Sequence, residues 1–289
     1  GPWGSALELL QECPGSDRNE LMLRCLRVSA PFGSTSSELV KAVVRHDVTT
    51  AQVASLLASV GGLQAALVHA LLRLPAAGQG LAALSEELGA LAREVELARP
   101  GDDGAAQLHA AIEGFLARFN ALARSEGGVP PPVVALCHFL YAAAEEKFGL
   151  LGAQNAVATL LVGRVVTPLL LRVARRGPDG GAAAGRLSER ASELSRTLQR
   201  VAHFAHHDEE GRSRDAAAGP PDLDAVMRHV RQLRDVVSTV LSRPAQQGLT
   251  LGVTPEQAED GAKWIVGKCR GWSTPTARAL AQLDPAGGG

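Results

Sequence analysis

A chain of 289 residues with 29 Lys and Arg against 30 Asp and Glu carries a formal charge of −1, and 46% of it is hydrophobic. That supports one large or two modest cores, and it provides no global field that would draw the chain onto nucleic acid or an anionic membrane. A general polyanion binder is excluded, so charge-based recognition has to be local.

Gly and Pro (31 and 16) punctuate a sequence crowded with Ala and Leu, and aromatics make up only 3%. This favours helices joined by Gly/Pro-rich loops. Residues 1–5, Gly-Pro-Trp-Gly-Ser, look like the remnant of a cleaved expression tag. Leu21, Leu23 and Leu26 begin the helical spacing. Val43 to Thr50 reads as a loop-like connection into a helix starting near Thr49 or Thr50, with Asp47 and the two threonines as caps. Apolar residues at 53, 56, 57, 60, 63, 67, 71 and 74 then predict one long core helix that Pro75 stops.

After a break at 99–104, Leu108, Ile112, Phe115, Leu116 and Phe119 mark another helix, and the turn at 126–132 separates the arms of a long central hairpin. The strongest apolar run, Ala156 to Leu171, is about one helical turn short of a membrane span and contains Arg164 and Pro168, so no transmembrane segment is expected. Gly-rich 176–181 and polar 206–221 read as mobile insertions. Val226, Met227, Val230, Leu233, Val236, Val237, Val240 and Leu241 form a further stripe. Residues 244–289 follow as a helical extension whose tail, from Pro285, should fray. No stretch alternates with period two, so the expected fold class is all-α, with eight to twelve helices.

Enzyme motifs are missing. There is no G-x-S-x-G elbow, no H-E-x-x-H and no dinucleotide loop, and Gly261 to Lys268 is one residue too long for a phosphate loop. His203, His206 and His207 share part of a helical face without a full dedicated zinc ligand set, and read as a solvated helix end. Cys13, Cys25, Cys137 and Cys269 contain no C-x-x-C pair, which fits a reducing, cytosolic setting. Arg164 stands out, because a guanidinium in an apolar helix must reach carbonyls, carboxylates or solvent.

The order of these pieces, over residues 6–243, resembles the catalytic domain of Ras GTPase-activating proteins. Val43-Val44-Arg45 followed by a Thr-rich stretch occupies the place of that family's Leu-Phe-Arg loop. Glu146-Lys147-Phe148-Gly149 is similar to its Lys-Phe-Pro helix end. Val162-Gly163-Arg164-Val165-Val166-Thr167-Pro168-Leu169-Leu170 resembles Phe-Leu-Arg-Phe-Ile-x-Pro-Ala-Ile, with arginine and proline at the same offset. Arg196-Thr-Leu-Gln199-Arg-Val-Ala202-His203 resembles the following Arg-Thr-Leu and Gln-x-x-Ala-Asn helix. The chain departs from the family where Val162-Gly163 replaces Phe-Leu and where Arg196 and His203 replace a lysine and an asparagine.

The resemblance implies an all-α domain with long central helices that stimulates GTP hydrolysis by a Ras-family small G protein in its GTP form. It is then an activator supplying an arginine in trans rather than an enzyme by itself. Arg45 would be the arginine finger, stabilising charge on the transferring phosphoryl group. A finger is worth on the order of 10³–10⁵ in rate, or roughly 4–7 kcal/mol. Arg164 would donate to carbonyls of the finger loop and preorganise it, as its family counterpart does. Gly163, Arg196, Gln199 and His203 would contact the partner, and Lys147 is given a structural part. The chain would carry no cofactor or metal of its own, since GTP and Mg²⁺ arrive on the partner. It would bind no nucleic acid, act as a monomer, and reside in the cytoplasm, reaching a membrane surface through its partner. The alternative reading is a catalytically weak or inactive scaffold of the same shape, which binds a small G protein or another protein partner.

Overall fold

A computed structural model describes residues 4–32, 34–52, 62–97, 104–175, 182–204, 223–244, 249–272 and 274–282. Among them every regular element is helical: α1 (Gly4–Glu12), α2 (Gly15–Ser29), α3 (Ser34–Thr50), α4 (Leu63–Leu71), α5 (Gly78–Leu97) and α6 (Gly104–Arg124). Then follow α7 (Pro131–Leu160), α8 (Thr167–Arg175), α9 (Ala182–Phe204), α10 (Leu223–Ser242), α11 (Pro255–Gly271) and α12 (Pro275–Gln282). The all-α expectation holds. Gly4 and Ser5, read as tag remnant, open α1.

The α10 stripe shows why the helices form. Val226, Val230, Leu233, Val236, Val237 and Val240 are all buried, at the three- and four-residue spacing of one face. Each contributes roughly 1.5–3 kcal/mol of burial. On α6, Ile112, Phe115, Leu116 and Phe119 do the same, with the Phe115 and Phe119 rings stacked 5.6 Å apart. The predicted central hairpin is opened out: α6 and α7 join through the 126–132 turn, and α10 packs against both. His229 of α10 is fully buried against α6, where its Nε2 lies 3.0 Å from His109 Nδ1 and the rings stack. Farther along this seam Thr239 donates to Asn120 at 2.6 Å.

Three sequence expectations need correction. The stretch from Val43 to Thr50 is helix, because Leu39, Val40, Val43, Val44 and Val48 continue the buried stripe of α3. Their β-branching lowers helix propensity, and burial overrides it. The threonines are not N-caps, since Thr49 and Thr50 donate back to the His46 carbonyl inside the helix. The long helix expected from Val53 does not run through to Pro75, because Gly62 is extended (φ −68°, ψ 160°) and caps a new helix, α4. Residues 53–61 lie outside the described residues, as do the insertions 176–181 and 206–221 and the tail from Pro285.

The apolar run around Arg164 belongs to one helical course, Pro131–Arg175, which is by length and composition long enough to cross a membrane, with 61% of its most apolar window buried in the protein. The shortfall read from the sequence applies to the apolar run alone. The course bends at Gly149, whose φ of 71° few side-chain-bearing residues adopt. It widens at Leu161–Val166 into a π-helical turn.

The C-terminal extension is built into the fold. Trp264 of α11 lies beneath both Arg24 and Lys268, Arg24 also pairs with Asp260, and Lys268 reaches Asp17 at 3.3 Å. Gly261, which opened the phosphate-loop near miss, lets α11 approach α2: a Cβ there would sit 3.3 Å from the Arg24 carbonyl oxygen.

Candidate functional site

The corner between α3 and α4 is held from two sides. Asp47, on the last turn of α3, accepts from the Gln64 backbone N–H at 2.6 Å. It therefore caps a helix, as its residue type suggests, but the helix is α4, 17 residues along the chain. Burial pushes the Asp47 carboxyl upward in pKa, and the backbone amides of Gln64 and Leu63 pull it the other way. From the opposite side, Lys147 of α7 donates to the carbonyls of Val48 and Thr49 at 2.8 Å each and of Ala51 at 2.6 Å. An ammonium has three protons, and here each meets one carbonyl at the negative end of the α3 dipole. The same ammonium lies over the Phe148 ring, 5.1 Å from its centroid.

Arg45 sits two residues before Asp47, within α3 rather than on a loop. It is exposed, on the side of the helix that carries Glu38, whose carboxyl is held low by Lys41 first and by Arg45 in addition. Next to it His46 meets Gln11 of α1 at 2.9 Å.

Arg164 sits inside the π-helical turn, and the sequence explains that turn. Pro168 has no N–H for the Arg164 carbonyl and its ring crowds that carbonyl, so the helix widens ahead of it. The Thr167 N–H then bonds Val162 O, five residues back. Single π turns of this kind occur often at functional sites. The Arg164 side chain is half-buried, and burial pulls its pKa below the usual arginine value. Gly163, beside it, has open space where a Cβ would point.

The π turn packs against α4, α8 and α9, and α3 also packs against α4. The short helix α4 is therefore in contact with both the helix of Arg45 and the turn of Arg164. On α9, Arg196 and Gln199 are exposed, with Arg196 Nε donating to Ser192 O at 3.4 Å. His203 lies in α9 near its end. His206 and His207 fall outside the described residues, and among those described no group of three or more potential metal ligands forms.

At the end of α3 it is Lys147 that holds carbonyls, those of Val48, Thr49 and Ala51. Sequence reasoning gave Lys147 only a structural part, and no spacing rule links residue 147 to residues 48–51. Gln64 was also missed: it is 1% exposed, and neither its Oε1 nor its Nε2 has a hydrogen-bond partner. An isolated glutamine in an apolar stripe gives little signal in one dimension.

A scan against models of known protein families and a search among curated proteins find no match to this chain. The Ras GTPase-activating resemblance therefore stands on the residues quoted above.

Proposed function

We propose that this protein is a helical module that binds the GTP form of a Ras-family small G protein and contributes little to hydrolysis itself. The observation that supports binding is the arrangement around α4, which gathers the motif-bearing α3, the Arg164 turn and, through that turn, α9 into one neighbourhood. The weak catalytic part follows from Arg45: a finger has to enter the partner's nucleotide site, and here the arginine is built into a helix. Residues 51–62, which connect α3 to α4, contain no arginine or lysine that could replace it.

Full GTPase activation is the second reading, favoured by the exposure of Arg45 close to the helix end. Single-turnover hydrolysis and binding, measured on a panel of Ras-family proteins, separates the two. On the first reading some GTP-loaded members bind, hydrolysis changes by less than about tenfold, and Arg164→Ala weakens binding. Acceleration by about 10³–10⁵ that disappears in Arg45→Ala would establish the finger and overturn the first reading. Failure of every member to bind would remove both.

A further inference from the structure

The α3–α4 corner joins two helices through side chains from outside the connection. Asp47 bonds the first turn of α4, and Lys147 ties the last turn of α3 to α7. Together they fix both ends of one junction with four hydrogen bonds of 2.6–2.8 Å. Arg45 lies three residues before Val48, whose carbonyl is the first that Lys147 holds, on the neighbouring turn of α3.

The fold does not need Lys147 for its core. Its side chain is exposed, and the packing of α3 is supplied by Leu39, Val40, Val43, Val44 and Val48. An ammonium holding three carbonyls, two of them at exposed positions where water could bond instead, does more than rescue buried polar groups. It selects one geometry for a helix end that water alone would let fray.

We infer that Lys147 and Asp47 are positioning residues that preset the α3–α4 corner, next to Arg45, for docking of the protein partner. The inference rests on the small G protein reading for the identity of that partner. Removing the ammonium frees three carbonyls at once and leaves α3 in place, so the corner samples many poses. Docking then has to select one of them, and the apparent affinity falls by the fraction of molecules in the competent pose. Arginine at position 147 is a graded replacement, since it keeps the charge and several donors but delivers them in a planar fork.

The test uses the full chain as Lys147→Met, Lys147→Arg and Asp47→Ala, with Lys268→Met as a charge-matched control on the remote α2–α11 contact. Hydrogen exchange without any partner is read at the last turn of α3 and the first turn of α4. Affinity is read against the panel loaded with a non-hydrolysable GTP analogue. Lys147→Met should exchange about tenfold faster at both turns and bind about tenfold more weakly, with an unchanged thermal midpoint. Lys147→Arg should recover part of both effects, Asp47→Ala should act mainly at the first turn of α4, and Lys268→Met should change neither.

Unchanged exchange in Lys147→Met overturns the grip itself. Faster exchange with unchanged affinity overturns the link to docking. If the unaltered chain binds no panel member, the small G protein reading falls, and the exchange data still decide whether Lys147 and Asp47 hold the corner.

Discussion

Gly80→Ala tests how closely α5 approaches the 126–132 turn. A Cβ at residue 80 would lie 2.6 Å from Pro130 N, 2.8 Å from the Val129 carbonyl carbon and 2.9 Å from Pro130 Cα. Ordinary contact begins at 3.4 Å, so the turn has to retreat by 3.4 − 2.6 = 0.8 Å. All three obstacles are backbone atoms, and none can rotate away as a side chain could. The turn is also tied down, because Arg243 donates to the carbonyls of Val129 and Glu126. Overpacking of this kind costs about 1–3 kcal/mol, offset by up to roughly 0.8–1.0 kcal/mol for replacing glycine in a helix. The net expectation is a destabilisation of up to about 2 kcal/mol, a fall in midpoint of up to roughly 8 °C for a domain of this size. Gly114→Ala is the internal reference. Its Cβ would meet only Arg118 Nη1, at 3.3 Å, on a side-chain end that Glu87 and Glu94 hold and that has to shift slightly, so it should gain up to about 0.5–1 kcal/mol. Urea titration followed by circular dichroism gives both values. If Gly80→Ala stabilises as much as Gly114→Ala, the close approach of α5 to the turn is wrong.

Two further expectations concern stability. Burial lowers the pKa of His229 below the usual 6.5, with Gln232 and Glu113 opposing and His109 and Arg228 adding to the shift. The unfolded chain therefore binds the proton more readily below pH 6.5, so stability should fall as pH drops beneath that value and be complete above it. His229→Gln should flatten that part of the curve, and a urea midpoint that does not vary between pH 5 and 6.5 in the parent would rule the effect out. At α11, Thr254 and Gln257 cap each other's backbone reciprocally, at 3.3 and 3.1 Å. Thr254→Ala should cost about 0.5–2 kcal/mol in the same titration, and no change would mean that this end of α11 is frayed in solution.

The helices were legible where a long stripe met its burial partners, as along α6 and α10. Val226 to Val240 repeat through about four turns, and no other period fits them. Legibility failed at α3 because the last eight residues, Val43 to Thr50, were read apart from the stripe that precedes them. Valines and threonines in isolation suggest a non-helical stretch, whereas with Leu39 and Val40 they complete a buried face. Around residue 62 the error ran the other way, since apolar spacing continued across Gly62, which the chain uses as a boundary. The oddity of Arg164 was visible from its apolar surroundings, and Pro168 four residues on held the reason for the π turn. The grip of Lys147 on α3 could not be read from the chain alone. It depends on the two helices lying side by side, over a separation of 96 to 99 residues.

The packing of α11 on α2 also sets a schedule for synthesis. Arg24 and its partner Asp260 are 236 residues apart, and at about 5–20 residues per second the second follows the first by roughly 12–47 s. For that interval the α2 surface later covered by Gly261 and Trp264 has no neighbour from its own chain. Early folding must therefore proceed without this contact, and the joining of the two distant segments comes as a late, separate closing step.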